Sequence, residues 1–393
     1  MTYRQVLATP AFAGLFVART AAIVANSLQI FALSVLVYSS TGSPLLSALA
    51  FGAGFLPQVF GGVLLGSLAD RRGPRELIVA GYLLETALSV LLGAARIPVL
   101  PALLLVGLVA CFLPVAYGAG GKALASLLDG DAYVLGRSLF TIAASAAQLA
   151  GLAAGGVLLG LLGAQRSLLA AAGCSFAAVL VTVFKVPRLP AGRGRGSGLT
   201  GSIELFGDRT VRRLFLLQWL PPAMCAGAES LLVAYAGSRG YATGTVSALM
   251  AAVPVGMVAG NYALGRRAPG RRLRWVPWLL VVLGLPLIAL QLRLPLAVAV
   301  ALLVVAGVGT AYSVGLQRPF LDAVPEGRAG QAFALLSAGL MTAQGLAPAA
   351  LGALAEVTSP GLGIAVSGLA VLLMIPAAAQ NRVRAPAANA VRD

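Results

Sequence analysis

Gly66-Ser67-Leu68-Ala69-Asp70-Arg71-Arg72-Gly73-Pro74-Arg75 closes one long apolar run, residues 44–69, and opens the next, residues 76–95. A helix crossing the hydrocarbon core of a bilayer needs roughly 20 apolar residues, so each flanking run is long enough to span. The charged turn between them then lies at a membrane surface. A stop-transfer loop needs only basic residues; this one also carries an acid and spaced glycines. Gly66 lets neighbouring helices approach closely at the end of its run, and Gly73 permits a tight turn. Asp70, near the membrane edge, is costly unless it is paired.

The same pattern repeats along the chain. Apolar runs fall at 12–37, 44–69, 76–95, 98–118, 136–162 and 166–185, and again at 211–236, 244–264, 273–292, 294–316, 329–354 and 360–379. With 59% hydrophobic and 10% charged residues in 393 and a mean hydropathy of +0.92, the chain is far more apolar than soluble domains, in which about a quarter of residues are charged. The reading is an all-α membrane protein of twelve transmembrane helices in two pseudo-symmetric six-helix bundles. Residues 1–185 form the N-terminal bundle and 210–381 the C-terminal bundle. Residues 186–209, rich in Gly, Pro and Arg, form a solvated linker, and 382–393 a tail.

A net charge of +16 does not indicate nucleic acid, whose readers gather basic residues on one soluble face. Here the basic residues alternate between loops. Twenty-three fall on the side of the termini and the linker, and four, Arg96, Arg166, Arg239 and Arg293, on the other, with Arg19 inside the first run. The positive-inside rule makes both termini and the linker cytoplasmic. The basic residues are almost all Arg, and the heavy use of Ala, Gly and Leu fits a GC-rich bacterial source, hence a bacterial inner membrane. The N-terminus lacks the pattern of a cleaved signal peptide, so the first run is expected to remain as a helix. There is no histidine, and Cys111, Cys174 and Cys225 stand singly. Metal and cofactor ligation are therefore not expected. No nucleophile, acid/base pair or G-x-x-x-x-G-K-[ST] phosphate loop supports an enzyme or an ATP-driven pump.

The halves match each other. Laying Gly120–Asp131 on Leu316–Gly327 pairs Lys122 with Arg318, a shift of 196 that also carries Gln148 onto Gln344 and Gly156 onto Gly352; Gly14-Leu15-Phe16 matches Arg213-Leu214-Phe215 at a shift of 199. Several ordered matches at nearly one shift indicate duplication, a common origin of transporter folds.

The segment from Gly66 to Arg75 resembles the G-x-L-A-D-R-x-G-R-[RK] signature of the major facilitator superfamily. Its position and the doubled six-run layout agree with that resemblance. The resemblance implies that Gly66, Asp70, Arg71, Gly73 and Arg75 form a conformational latch, the acid pairing across the bundle in one state and releasing in another. The matching stretch of the second half has Leu264 where the acid would stand, so the latch is expected in the first half alone. Within that superfamily, Phe12-Ala13-Gly14-Leu15-Phe16-Val17-Ala18-Arg19 and Thr41-Gly42-Ser43-Pro44 resemble bacterial exporters related to macrolide-efflux and enterobactin-export proteins, although Asn26 stands where an acidic residue is common. The antiporter-associated G-P-x-x-G-G is similar to Gly151-Leu152-Ala153-Ala154-Gly155-Gly156, with the proline replaced; Ala347-Pro348-Ala349-Ala350-Leu351-Gly352 keeps one.

The resemblance implies that the first, fourth, seventh and tenth helices line a cavity and that the third is peripheral. Ionisable groups at membrane depth are costly and usually functional. Glu229 is the first candidate for proton coupling and Glu85 the second. Arg19, Asn26, Gln29, Tyr117, Gln148 and Gln344 are candidate cavity residues. A cavity with few charges suits hydrophobic or amphiphilic cargo better than sugars or phosphates. The expected function is proton-coupled efflux by a monomer. The alternatives are an uptake symporter or uniporter for a small metabolite or siderophore-like compound, or a receptor that moves nothing.

Overall fold

The computed structural model describes residues 3–65, 72–128, 130–188, 206–242, 245–267, 269–324 and 329–383. Every regular element among them is a helix. A short helix, Tyr3–Leu7, precedes span 1, Pro10–Thr41. Span 2 consists of Pro44–Gly52 and Leu56–Leu65. Span 3 is Pro74–Ala94, span 4 Val99–Leu127, span 5 Gly130–Leu162 and span 6 Ala164–Lys185. In the second half, span 7 consists of Arg209–Ser230 and Leu232–Arg239, span 8 is Val246–Gly265, and span 9 Pro269–Ala289. Span 10 consists of Leu296–Gly309 and Tyr312–Ala323, span 11 is Ala329–Val357, and span 12 consists of Pro360–Leu372 and Ile375–Val383. The chain has the all-α architecture of about twelve spans expected from its sequence. Eleven helical stretches among the described residues are long and apolar enough to cross a membrane. Span 7 falls short because it carries Arg209, Arg212, Arg213, Gln218 and Glu229 together with Pro221 and Pro222.

Local chemistry sets the helix starts. Pro10, Pro44, Pro74 and Pro360 occupy first turns, where a missing N–H costs nothing. The Ser43, Asp208 and Ser359 side chains accept the first free amides of spans 2, 7 and 12, as N-caps do. Gly42 ends span 1 at φ 67°, its N–H donating to the Tyr38 carbonyl at 2.8 Å, a left-handed turn that glycine adopts without penalty. Gly73 is different. Its φ of −64° is open to any residue, so the tight turn expected of it is not made by glycine's conformational freedom.

The runs read as continuous are interrupted in four spans. Span 2 breaks between Gly52 and Leu56, and Pro57 falls in the first turn of its second piece, where a missing N–H costs nothing. Pro376 lacks an amide for the helix ladder, and span 12 breaks just before it. Span 7 tightens at Leu231, whose N–H reaches back to Ala228 and Glu229, and span 10 breaks after Gly309.

Two compact units result, one of Met1–Gly196 with Leu232–Ala251, the other of Ser197–Leu231 with Ala252–Asp393. Inside the first, span 1 packs on spans 5 and 6, span 2 on span 4, and span 3 on spans 4 and 6; inside the second, span 7 packs on spans 11 and 12, and span 9 on spans 10 and 12. Adding six to each span number of the first set generates the second, once the approach of Gly256 in span 8 to Val304 in span 10 is included as the counterpart of the span 2–span 4 contact.

The correspondence extends to single residues. A Cβ on Gly61 of span 2 would strike the Cys111 carbonyl of span 4, and one on Gly256 of span 8 would strike the Val304 carbonyl of span 10. A Cβ on Gly155 of span 5 would lie 3.3 Å from Leu28 of span 1, whereas one on Gly227 of span 7 would lie 2.5 Å from Leu351 of span 11. Leu28 and Gly227 differ by 199, and Gly155 and Leu351 by 196, so the crossing has kept one small and one large partner while exchanging their helices. Close approach through small residues is how helices associate in lipid, where burying apolar surface gives little drive. The large apolar side chains that remain exposed, among them Leu104 and Phe184, 66% and 77% exposed, then face acyl chains.

Candidate functional site

Span 3 buries one stripe along its length, including Ile78, Tyr82, Glu85, Ser89 and Leu92, the helical spacing of a single face. Gly81 on this stripe lets span 3 approach span 4, since a Cβ there would stand 2.5 Å from the Ala116 methyl. The stripe would be wholly apolar but for Glu85, 4% exposed, and Ser89, 1% exposed. Opposite them on span 1, Asn26 and Gln29 lie three residues apart and therefore on neighbouring positions of one face. The Ser89 hydroxyl donates to Gln29 Oε1 at 2.5 Å.

These groups enclose a cavity of about 70 Å³ inside the first unit. Its polar lining is Asn26 and Gln29 from span 1, Gln58 from span 2, Glu85 from span 3 and Tyr117 from span 4, and Phe51 and Phe55 contribute to its apolar wall. Gln58 donates through Nε2 to the Gly54 carbonyl at 2.7 Å. Neither Glu85 oxygen has a hydrogen-bond partner. The Ser175 hydroxyl of span 6 lies beside the carboxylate but outside hydrogen-bond geometry. Arg19 stacks over the Phe140 ring at 5.1 Å and the Tyr117 ring at 5.9 Å, and its Nε is unpartnered. Arg19 and Glu85 both act electrostatically on the Tyr117 phenol.

The cavity thus unites Asn26, Gln29, Tyr117 and Glu85, four of the residues singled out by sequence, and leaves Gln148 and Gln344 half-buried elsewhere on spans 5 and 11. Reading span 3 as peripheral had ranked Glu85 second. The stripe Tyr82, Glu85, Ser89 was the available signal of an inward face, and Gln58 was missed because a lone amide in an apolar run carries no pattern. Arg19 is not in the lining but braces Tyr117, which is.

Glu229 belongs to the other unit. It is half-buried, in the second half of span 7, two residues before the tightened turn at Leu231. Gly66, Asp70 and Arg71 lie outside the described residues. Arg75 donates from Nη2 to the Val183 carbonyl, in the last turn of span 6, where free carbonyls attract a cation. Gly260, which precedes Leu264 by four residues as Gly66 precedes Asp70, packs against the Val308 carbonyl, the close approach expected of Gly66. Among the described residues no three or more His, Cys, Asp and Glu side chains gather into a metal-binding group.

Comparison with known proteins identifies the architecture. The sequence matches the Major Facilitator Superfamily over residues 15–317, most of the chain. The chain belongs to the Major Facilitator Superfamily. Superfamily membership makes it a multi-pass membrane transport protein and not an enzyme. No curated protein matches the chain in sequence. Among solved structures of the superfamily fold, it is similar to an inward-facing, unoccupied bacterial homologue of the human lysosomal transporter Spinster, with 16% identity, 96% of each chain covered and a TM-score of 0.70. It is also similar to the nucleoside transporter NupG, with 14% identity, 94% of this chain and 99% of that one covered and a TM-score of 0.72. A third similar structure is a POT family transporter bound to a thioalcohol-conjugated peptide, with 9% identity, coverage of 95% and 98% and a TM-score of 0.73. At these identities the likeness is one of fold.

Proposed function

We propose that this superfamily member is a secondary active exporter that couples outward movement of hydrophobic or amphiphilic small molecules, drugs or natural products, to inward proton flow by alternating access. The observation that carries the reading is the scarcity of charge at membrane depth: Arg19, Glu85 and Glu229 stand among neutral amides, hydroxyls and apolar side chains. Sugars and phosphates need denser polar or basic contacts, whereas an isolated carboxylate at such depth is a natural carrier of a coupling proton. The exporter-like pattern from Phe12 to Arg19 supports the outward direction. The repeats 1–185 and 210–381 are the proposed rocking bodies, joined by the linker 186–209, with the tail 382–393 and both termini in the cytoplasm of a bacterial cell.

Inside-out vesicles test the direction. A lipophilic fluorescent dye should accumulate when the lumen is acidified and leave when a protonophore is added. Accumulation confined to right-side-out vesicles would instead establish uptake. The latch reading of Asp70 has its own test. Asp70→Ala is expected to abolish transport while dye binding to the purified protein stays within about twofold of wild type, the weight of a few tenths of a kcal/mol. Lost binding in a folded variant would remove the latch assignment.

A further inference from the structure

We infer that the cavity of the first unit is a binding site for one sodium ion, with Glu85 as its anionic ligand and Asn26, Gln29, Gln58 and Tyr117 as neutral oxygen donors. The inference rests on the transporter reading only for its consequence in coupling, since binding itself can be read on protein that moves nothing.

Unmet acceptors carry the argument. Glu85 is 4% exposed and neither oxygen receives a hydrogen bond. Gln58 commits its amide nitrogen to the Gly54 carbonyl, which leaves its oxygen over. Gln29 Oε1 takes the Ser89 proton and keeps a second lone pair. A proton on Glu85 would cancel the charge but supply one donor, whereas a hard cation serves several oxygens at once. The groups facing Glu85 do not supply a resident cation. Arg19 of span 1 is turned onto the Phe140 and Tyr117 rings. Tyr82 on the same span and Tyr117 of span 4 are neutral phenols, and span 6 presents the Ser175 hydroxyl.

Size and charge choose the ion. A cavity of about 70 Å³ has room for a small ion with water. Drug-sized ligands occupy roughly 300–1,000 Å³, so this cavity does not by itself enclose one. A single carboxylate balances a monovalent cation, while a divalent one would leave net charge buried without a partner.

Thermal unfolding of the purified full chain in NaCl, KCl and choline chloride at equal ionic strength tests the site, because a ligand that binds only the native state raises its melting temperature. Sodium should raise it saturably, and potassium and choline should not. Glu85→Gln should remove the response. Tyr117→Phe, which keeps the ring and its packing, should raise the half-saturating sodium concentration by about tenfold or more. Glu76→Gln, at an exposed carboxylate on the same span, should leave the response intact. Equal melting temperatures in the three salts, a sodium response retained in Glu85→Gln, or a stability that follows pH with no dependence on sodium would each overturn the site. If dye flux in vesicles fails while the sodium response is intact, the transport reading falls and the site stands.

Discussion

Gly61→Leu and Gly256→Leu are expected to yield little or no monodisperse protein after detergent extraction, while Gly173→Ala yields as much as wild type or more. At Gly61 and Gly256 a first side-chain carbon would already strike a backbone carbonyl of the crossing helix, Cys111 in one half and Val304 in the other. A backbone cannot rotate away as a side chain can, so the helices must separate. Overpacking a close contact costs about 1–3 kcal/mol where neighbours can adjust, and here they cannot without opening the span 2–span 4 or span 8–span 10 crossing. Helix association in lipid depends on that contact, because burying apolar surface gives little drive. Gly173 on span 6 has nothing within 4 Å of a built Cβ, so alanine there gains helix propensity of about 1 kcal/mol at no steric cost. Size-exclusion profiles and melting temperatures decide the matter. A well-folded Gly61→Leu protein would show that span 2 and span 4 do not need this approach.

Glu229→Gln carries the second large effect. Glutamine keeps the shape and a hydrogen-bonding oxygen but cannot exchange a proton. If Glu229 carries the coupling proton, accumulation of dye driven by an imposed pH gradient should fall by about 5–150-fold, the span of a coupling free energy of about 1–3 kcal/mol. Flux down the dye's own gradient should persist and lose its pH dependence. Wild-type rates with wild-type pH dependence would remove Glu229 from the mechanism. The turn at Leu231 gives the residue local importance beyond its charge. Its own carbonyl accepts the Leu231 N–H, so the side chain sits beside the tightened turn of span 7.

Much of this architecture was readable in the chain. Runs of some 20 apolar residues, prolines in first turns, and Ser43, Asp208 and Ser359 as caps fix where helices begin, because each acts over a few residues. The repeat was readable as well, and its two shifts, 199 in the opening span and 196 in the fifth, return in the Leu28–Gly155 and Gly227–Leu351 crossings. The breaks in spans 2, 7, 10 and 12 were not read, since hydropathy is blind to where a helix slackens inside an apolar run. Gly73 was assigned a turn role that its backbone does not need.

The candidate site divides the same way. Glu85 stood out as a charge at membrane depth, but its rank depended on which way span 3 faces. Periodicity gives a face its residues and not its neighbour. That is set where Gly81 meets Ala116 and where Ser89 reaches Gln29, contacts between segments far apart in sequence. Composition and run length, acting locally, therefore determined a helical membrane protein of doubled design. Tertiary packing alone decided that Asn26, Gln29, Gln58, Glu85 and Tyr117 share one cavity, because side-chain direction across a bundle is fixed by how closely its helices can approach.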